Sequence, residues 1–226
     1  MIAALVPAKA LDQAKGRLAA LLDEDERRCL ALAMLEDVLK ALQAVPDIDL
    51  IDVVSPDTDV LALATDLGAE ALAEPPSLRG INQALTHGLS VMSPRGLDVL
   101  LVVLADVPAV TPAEITSVLR ALPGGRGAVI CPSSARGTSA LALRPPDAIP
   151  FRFGPLSFQA HKREAAARGV PARVLRVASL ARDIDEPDDL RDLISHPAET
   201  ATHRLLAEMQ IARRLEPVGA QRAPGS

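Results

Sequence analysis

The sequence contains no Trp and no Tyr, and its aromatic residues are Phe151, Phe153 and Phe158 alone. A core built from it must therefore be Leu, Val, Ala and Ile. Cysteine is almost as scarce: Cys29 and Cys131 lack the CxxC or Cys/His spacing of a metal site, and both are read as packed thiols. No apolar run reaches the length of a membrane span, and the start, Met1-Ile-Ala-Ala-Leu-Val-Pro-Ala-Lys9, has no basic region of a signal peptide. A cytoplasmic, reduced protein is expected. The net charge of −5 comes with both signs interspersed. That gives no electrostatic footprint for nucleic acid and no polybasic patch for a membrane surface. A small phosphorylated ligand would have to rely on local Lys and Arg. Internal repeats are absent.

What is present is length and alternation. At 226 residues, 49% of them apolar, the chain can bury one sizeable α/β core. Short aliphatic runs at residues 2–6, 50–54 and 69–72 alternate with helical patterns at 23–44 and 57–67, which points to βαβ units. The run Val99-Leu-Leu-Val-Val-Leu-Ala reads as a strand buried on both faces, and it closes on Asp106-Val-Pro108. Ligands in open α/β sheets collect beyond the carboxyl ends of strands. By position Asp106 either holds a cation or polar ligand, or caps the next turn. Asp23 with Glu26, and Thr111-Pro-Ala-Glu114, carry the capping signature of helix starts.

Three further stretches bear chemistry. Pro7-Ala-Lys9 to Lys15-Gly16-Arg17 places three cations within nine residues directly after the first strand. It reads as a phosphate-holding loop or as a solvated one, and it lacks the P-loop spacing. Gly80-Ile-Asn82 opens a helix, where Asn82 can meet a base or ribose edge or cap the helix. Phe151-Arg-Phe-Gly154-Pro-Leu-Ser157-Phe holds every aromatic residue just before a helix at 157–168. It suggests a packed loop that fixes a helix N-terminus, a natural anion site, or a hydrophobic anchor for a long loop. After an expected strand at 172–177, Asp183-Ile-Asp185 precedes a helix whose Asp188 and Asp189 suit its dipole. Asp183 and Asp185 lie outside that helix and need another reason. Residues 198–215 can form one helix, and 216–226 read as a disordered tail.

Taken together, Val-Pro-x-Lys9-x5-Lys15-x-Arg17-Leu, Gly80-x-Asn82, Leu-Ala-Asp106-x-Pro, Gly-Thr138-x-Ala-Leu, Phe153-Gly-Pro-x-Ser157-Phe-x-x-His161 and Asp183-Ile-Asp185-x-Pro-x-Asp-Leu resemble one family over about residues 3–194. It is the 2-phospho-L-lactate or phosphoenolpyruvate guanylyltransferase of coenzyme F-420 biosynthesis. The resemblance implies a three-layer Rossmann-like nucleotidyltransferase (GT-A type) fold with a mixed, mostly parallel sheet. It implies transfer of GMP from GTP to a phosphorylated three-carbon acid with release of pyrophosphate. By motif, Lys9, Lys15, Arg17 and Asp106 would be catalytic, with Pro7 and Asn82 beside them at the nucleotide. Asp106, Asp183 and, more weakly, Asp185 would hold Mg²⁺; Thr138, Gly154 and Ser157 would receive the acid. His161 is read as structural or peripheral. Ser139 and Leu156 depart from the family pattern and leave phosphoenolpyruvate, 2-phospho-L-lactate and 3-phosphoglycerate open as acceptors. The expected domain spans 1–196, with 197–226 as a C-terminal helix and tail outside the resemblance. Hand-over to the next pathway enzyme and a homodimer are left open. The alternatives are a nucleotidyltransferase of another branch, such as molybdenum cofactor synthesis, and a non-catalytic nucleotide-binding module.

Overall fold

The computed structural model describes residues 1–216. Its seven strands are β1 (Ile2–Pro7), β2 (Leu50–Ser55), β3 (Glu70–Ala73), β4 (Val99–Val103), β5 (Gly127–Pro132), β6 (Thr138–Arg144) and β7 (Ala172–Val174). They form one sheet in the order β3-β2-β1-β4-β6-β5-β7, with β6 antiparallel to both its neighbours and the other pairs parallel. The helices are α1 (Glu24–Gln43), α2 (Thr58–Asp66), α3 (Ile81–Met92), α4 (Pro112–Arg120), α5 (Ser157–Ala167), α6 (Pro187–Ser195), α7 (Ala201–Glu208) and α8 (Ile211–Leu215).

The aliphatic composition explains the layering. Every residue of β4 is buried, and its side chains divide by parity, as the pleat requires. Leu101 and Val103 pack with Leu35 and Val38 of α1, Val60 of α2 and Ile115 of α4. Leu100 and Val102 pack on the opposite face with Leu85 of α3, Ala165 of α5, and Phe151 and Phe153. Helix α3 approaches β1 so closely that a Cβ at Gly88 would lie 2.9 Å from a methyl of Leu5. Both capping signatures form as read: Asp23 with Glu26, and Thr111 with Glu114 behind Pro112.

Some expectations are corrected. Strand β7 stops at Val174 rather than residue 177. The single helix expected at 198–215 is two, broken at Gln210, whose φ of +53° ends α7 and starts α8. Cys131 is buried, and burial pushes its thiol up to about 12; Cys29, read as packed, is exposed on α1. The C-terminal helices are not an appendage. Leu206, Ile211 and Leu215 form a third core with Leu30 and Met34 of α1 and with Leu18 and Leu22. The carboxylate of Asp37, on α1, accepts from the backbone N–H groups of Ala201 (2.7 Å) and Thr202 (2.9 Å) and so caps α7. The expected tail beyond Glu216 lies outside the described residues. No helix among those described is long and apolar enough to cross a membrane.

Candidate active site

The sheet order places β2 on one side of β1 and β4 on the other. Chains leaving the carboxyl ends of β1 and β4 therefore diverge around a crevice, the usual ligand position in such sheets. The 9–17 loop follows β1 there, and Asp106 follows β4. The backbone N–H of Ile184 donates to the carbonyl of Asp106 at 3.1 Å. That bond lays the Asp183–Asp185 segment against Asp106.

Lys15 closes this cluster. Its residue sits in the left-handed region at φ +52°, and its Nζ lies 3.1 Å from Asp106 Oδ2 and 3.1 Å from Asp185 Oδ1. Burial alone would push this ammonium down, but the charges of Asp106 and Asp185 outweigh it and the net shift is upward. Asp183 is held above the usual carboxylate range, first by burial and then by the charge of Asp106. Ser134 Oγ donates to its Oδ1 at 3.4 Å. Asp106 Oδ1 is buried and has no hydrogen-bond partner. Among the described residues no group of three or more acids, His or Cys is already gathered as a metal cage; the ammonium lies between Asp106 and Asp185 instead. Arg17 reaches Glu186 at 3.2 Å on the exposed rim, Lys9 is exposed at the loop's start, and Pro7 is buried at the end of β1.

The β5–β6 turn joins this cluster to the second group of residues. Ser134 touches Asp183, and four residues on, Thr138 begins β6. A Cβ at Gly137 would lie 2.7 Å from Ser133 Oγ and 3.8 Å from Ser157 Oγ, so the turn passes directly against the start of α5. Thr138 and Ser157 are buried. Gly154 has φ +127°, a conformation closed to side-chain-bearing residues, and the following Leu156 has φ +59° and is 55% exposed. Ser139 is fully buried with its Oγ unpartnered.

Asn82 is not the cap of α3; that position is Gly80 at φ +78°. Its amide is spent on Phe153, donating to the carbonyl at 2.9 Å and accepting from the N–H at 2.7 Å. His161 is buried, as a structural reading requires, with its pKa lowered to about 4 by burial. It contacts Thr138 Oγ1 and the N–H of Arg152, each at 3.0 Å. Sequence reasoning missed Asp189, whose Oδ2 accepts from the N–H groups of Asp185 (2.8 Å) and Glu186 (2.7 Å) and thereby fixes Asp185. Its place three residues after Glu186 was a usable signal, because that is capping-box spacing; dipole complementation alone does not describe it.

The fold is one shared with solved nucleotidyl transferases. The architecture matches a crystal structure from Desulfovibrio desulfuricans G20 assigned to the nucleotide-diphospho-sugar transferases, with a TM-score of 0.77, 18% identity, and coverage of 95% of this chain and 97% of that one. Within that class the chain belongs to the family described as Guanylyl transferase CofC like, whose model matches residues 2–223 and so takes in α7 and α8, which the motif resemblance had left out. The phosphoenolpyruvate guanylyltransferase of Sphaerobacter thermophilus is 48% identical over 85% of this chain and 92% of its own length. The 2-phospho-L-lactate guanylyltransferase of Methanothermobacter thermautotrophicus is 33% identical over 92% of this chain and 90% of its own.

Proposed function

We propose that this protein transfers GMP from GTP to a phosphorylated three-carbon acid, phosphoenolpyruvate or 2-phospho-L-lactate, releasing pyrophosphate in coenzyme F-420 biosynthesis. The observation that carries the reading is a chain of contacts beyond the ends of β1 and β4: Lys15 on Asp106 and Asp185, Ser134 on Asp183, and the β5–β6 turn that runs from Ser134 to Thr138 and passes against Ser157. Family membership sets aside the other-branch alternative. A non-catalytic module would have no use for a carboxylate, Asp183, raised first by burial and then by the charge of Asp106 beside it.

The donor set fits a hard divalent cation. Asp106 and Asp185 share the ammonium of Lys15, Asp183 lies near enough to feel the charge of both, and Asp106 Oδ1 is buried and orphaned. In this reading Asp106, Asp183 and Asp185 hold Mg²⁺, which supplies neutralisation of triphosphate charge as pyrophosphate departs. The resident lysine favours Asp185 over Asp183 as the partner of Asp106.

The chain's own residues account for the rest. The acceptor's phosphate is already a nucleophile at neutral pH, so alignment replaces general-base catalysis. His161, neutral and occupied on both ring nitrogens, is unsuited to proton transfer. Lys15, once displaced from the carboxylates, is within reach of the triphosphate with Arg17 and Lys9 along the same loop. The α-phosphorus then lies between the acceptor oxygen and the leaving pyrophosphate. The N–H of Gly154 and the Ser157 hydroxyl meet the acceptor's phosphate and carboxylate, since the N–H groups of Ser157, Phe158 and Gln159 are already bonded to the carbonyls of Gly154, Arg136 and Leu156. The test is pyrophosphate release from GTP with each of phosphoenolpyruvate, 2-phospho-L-lactate and 3-phosphoglycerate. Turnover with one of the first two is expected; a folded protein inert with all three would overturn the reading.

A further inference from the structure

The acceptor end of the crevice rests on a loop that has no sheet to hold it. Residues 150–156 lie between β6 and α5, and their backbone polar groups need partners from elsewhere. Two side chains supply them. Asn82, reaching across from α3, brackets Phe153 by donating to its carbonyl and accepting from its N–H, as a neighbouring strand would. His161, one turn along α5 from Ser157, takes the N–H of Arg152 on Nε2. Consecutive backbone groups immediately before Gly154 are thus fixed by side chains of two different helices.

The second consequence concerns a proton. Because Arg152 N–H can only donate, Nε2 of His161 must present its lone pair, and in a neutral ring the hydrogen is then on Nδ1. Nδ1–H faces Thr138 Oγ1 at 3.0 Å and donates to it. A hydroxyl that accepts from a fixed donor still has its own hydrogen to give, and here that hydrogen is turned away from the imidazole. Phe153 holds the ring's orientation from the side, with centroids 4.9 Å apart and planes at 72°. The imidazole is therefore locked in rotation, in tautomer and in charge.

We propose that Asn82 and His161 are positioning residues of the acceptor pocket: Asn82 fixes the Phe153–Gly154 backbone, and His161 fixes that loop and aims the Thr138 hydroxyl hydrogen at the bound acid. The inference rests on the assignment of Thr138, Gly154 and Ser157 to the acceptor, and it moves Asn82 from the nucleotide to the acid. Neither residue touches a reacting atom. Their removal weakens acid binding while leaving the acid cluster and the 9–17 loop as they are.

Steady-state kinetics on the full chain, with GTP and the acid varied separately, tests this. Asn82→Ala and His161→Phe are each expected to raise KM for the acid tenfold or more and to leave KM for GTP within about twofold. His161→Asn, whose amide N–H takes the place of Nδ1–H, should recover a large part of the acid KM lost in His161→Phe. Asn82→Asp, nearly isosteric, keeps the acceptor for Phe153 N–H but sets a carboxylate oxygen against the Phe153 carbonyl, and should again raise the acid KM alone. It serves if the alanine variant does not fold. A raised KM for GTP with an unchanged acid KM in either Asn82 variant overturns the proposal, since Asn82 would then serve the nucleotide. So does a lowered melting temperature with both KM values unchanged, which marks a purely structural role. A wild-type chain inert with all three acids defeats the functional reading itself, and with it this inference; an active wild type with unmoved acid KM values in the variants defeats the inference alone.

Discussion

Asp52 gives the sharpest test of the energetics. It lies inside β2, in register with Leu5 of β1 and Glu70 of β3, is fully buried, and neither carboxylate oxygen has a hydrogen-bond partner. Arg95 approaches at 3.6 Å, too far for a hydrogen bond. Burial pushes the carboxyl up from 3.8 to about 6, against the pull of Arg95. A folded-state value above the unfolded one means the native protein prefers the protonated acid. The group's contribution to stability is complete below the unfolded value and is lost as pH rises through about 6. At about 1.36 kcal/mol per pKa unit, the charged form costs the fold about 3 kcal/mol once titration is complete. Asp52→Asn removes that cost and adds an unpaired amide N–H₂ worth about 1–3 kcal/mol against it. The net gain should be about 0–2 kcal/mol at pH 7.5, or up to about 8 °C in Tm for a chain of this size. Urea unfolding of both proteins from pH 4 to 8 measures it. The advantage of the variant should grow by about 2 kcal/mol from the acid end and level off above about pH 6.5. A difference that does not vary with pH, or a variant less stable at pH 7.5 by more than 1 kcal/mol, would show the Asp52–Arg95 pair to be net stabilising and refute the reasoning.

Three other perturbations follow from the site and its supports. Asp106→Asn should reduce turnover at least about a thousandfold, as for loss of a group that organises transition-state charge. Lys15 keeps Asp185, so Tm should move by only a few degrees; a protein that unfolds would make Asp106 structural. Lys15→Gln leaves Asp106, Asp183 and Asp185 without their resident cation, so Tm should fall in chelator and recover when millimolar Mg²⁺ is added. Thermal melts with and without the metal read this, and no recovery would count against the cation site. Asp37→Ala frees the N-terminus of α7 and should cost about 2–3 kcal/mol, the scale of hydrogen bonds to a buried charge. Hydrogen exchange should rise across 201–215 first; unchanged protection there would show that α7 is held by the apolar contacts of Leu206 and Ile211 alone.

The order of strands and helices was legible because β and α patterns differ in period and because the capping residues are local. The capping bonds of Asp23 with Glu26 and of Thr111 with Glu114 each span three residues, and both pairs form in the structure as their spacing indicates. The errors lie where a partner is distant in sequence. Residues 175–177 have strand composition, but the chain leaves β5 after the Ile130–Val174 pair and a last bond from Leu175 N–H to the Ile130 carbonyl. Cys29 stands in an apolar helical pattern, and which side of α1 is covered depends on α2 and α7, not on α1. Asp37 reads as an ordinary helix-surface acid until residues 201–202 arrive 164 positions later.

The site divides along the same line. The cluster of Lys15, Asp106, Asp183 and Asp185 could be approached from motif order, since each residue follows a strand or precedes a helix cap and the sheet order brings those ends together. Asn82 could not. An Asn near a helix start has a common local use, as a cap or a ligand contact; yet Gly80 already takes the N-cap position of α3, and the Asn82 amide is spent 71 residues away on Phe153. The reason is a deficit in the loop rather than a feature of the helix. A segment carrying Gly154 at φ +127° cannot join a β-ladder, so its amides must be met by side chains that can both donate and accept. Asn82 does both and neutral His161 accepts, and neither brings charge to the loop. The pairing of Asn82 and His161 with this loop therefore follows from what the loop must bind. That is why a change at either residue should be felt by the acid before it is felt by the nucleotide.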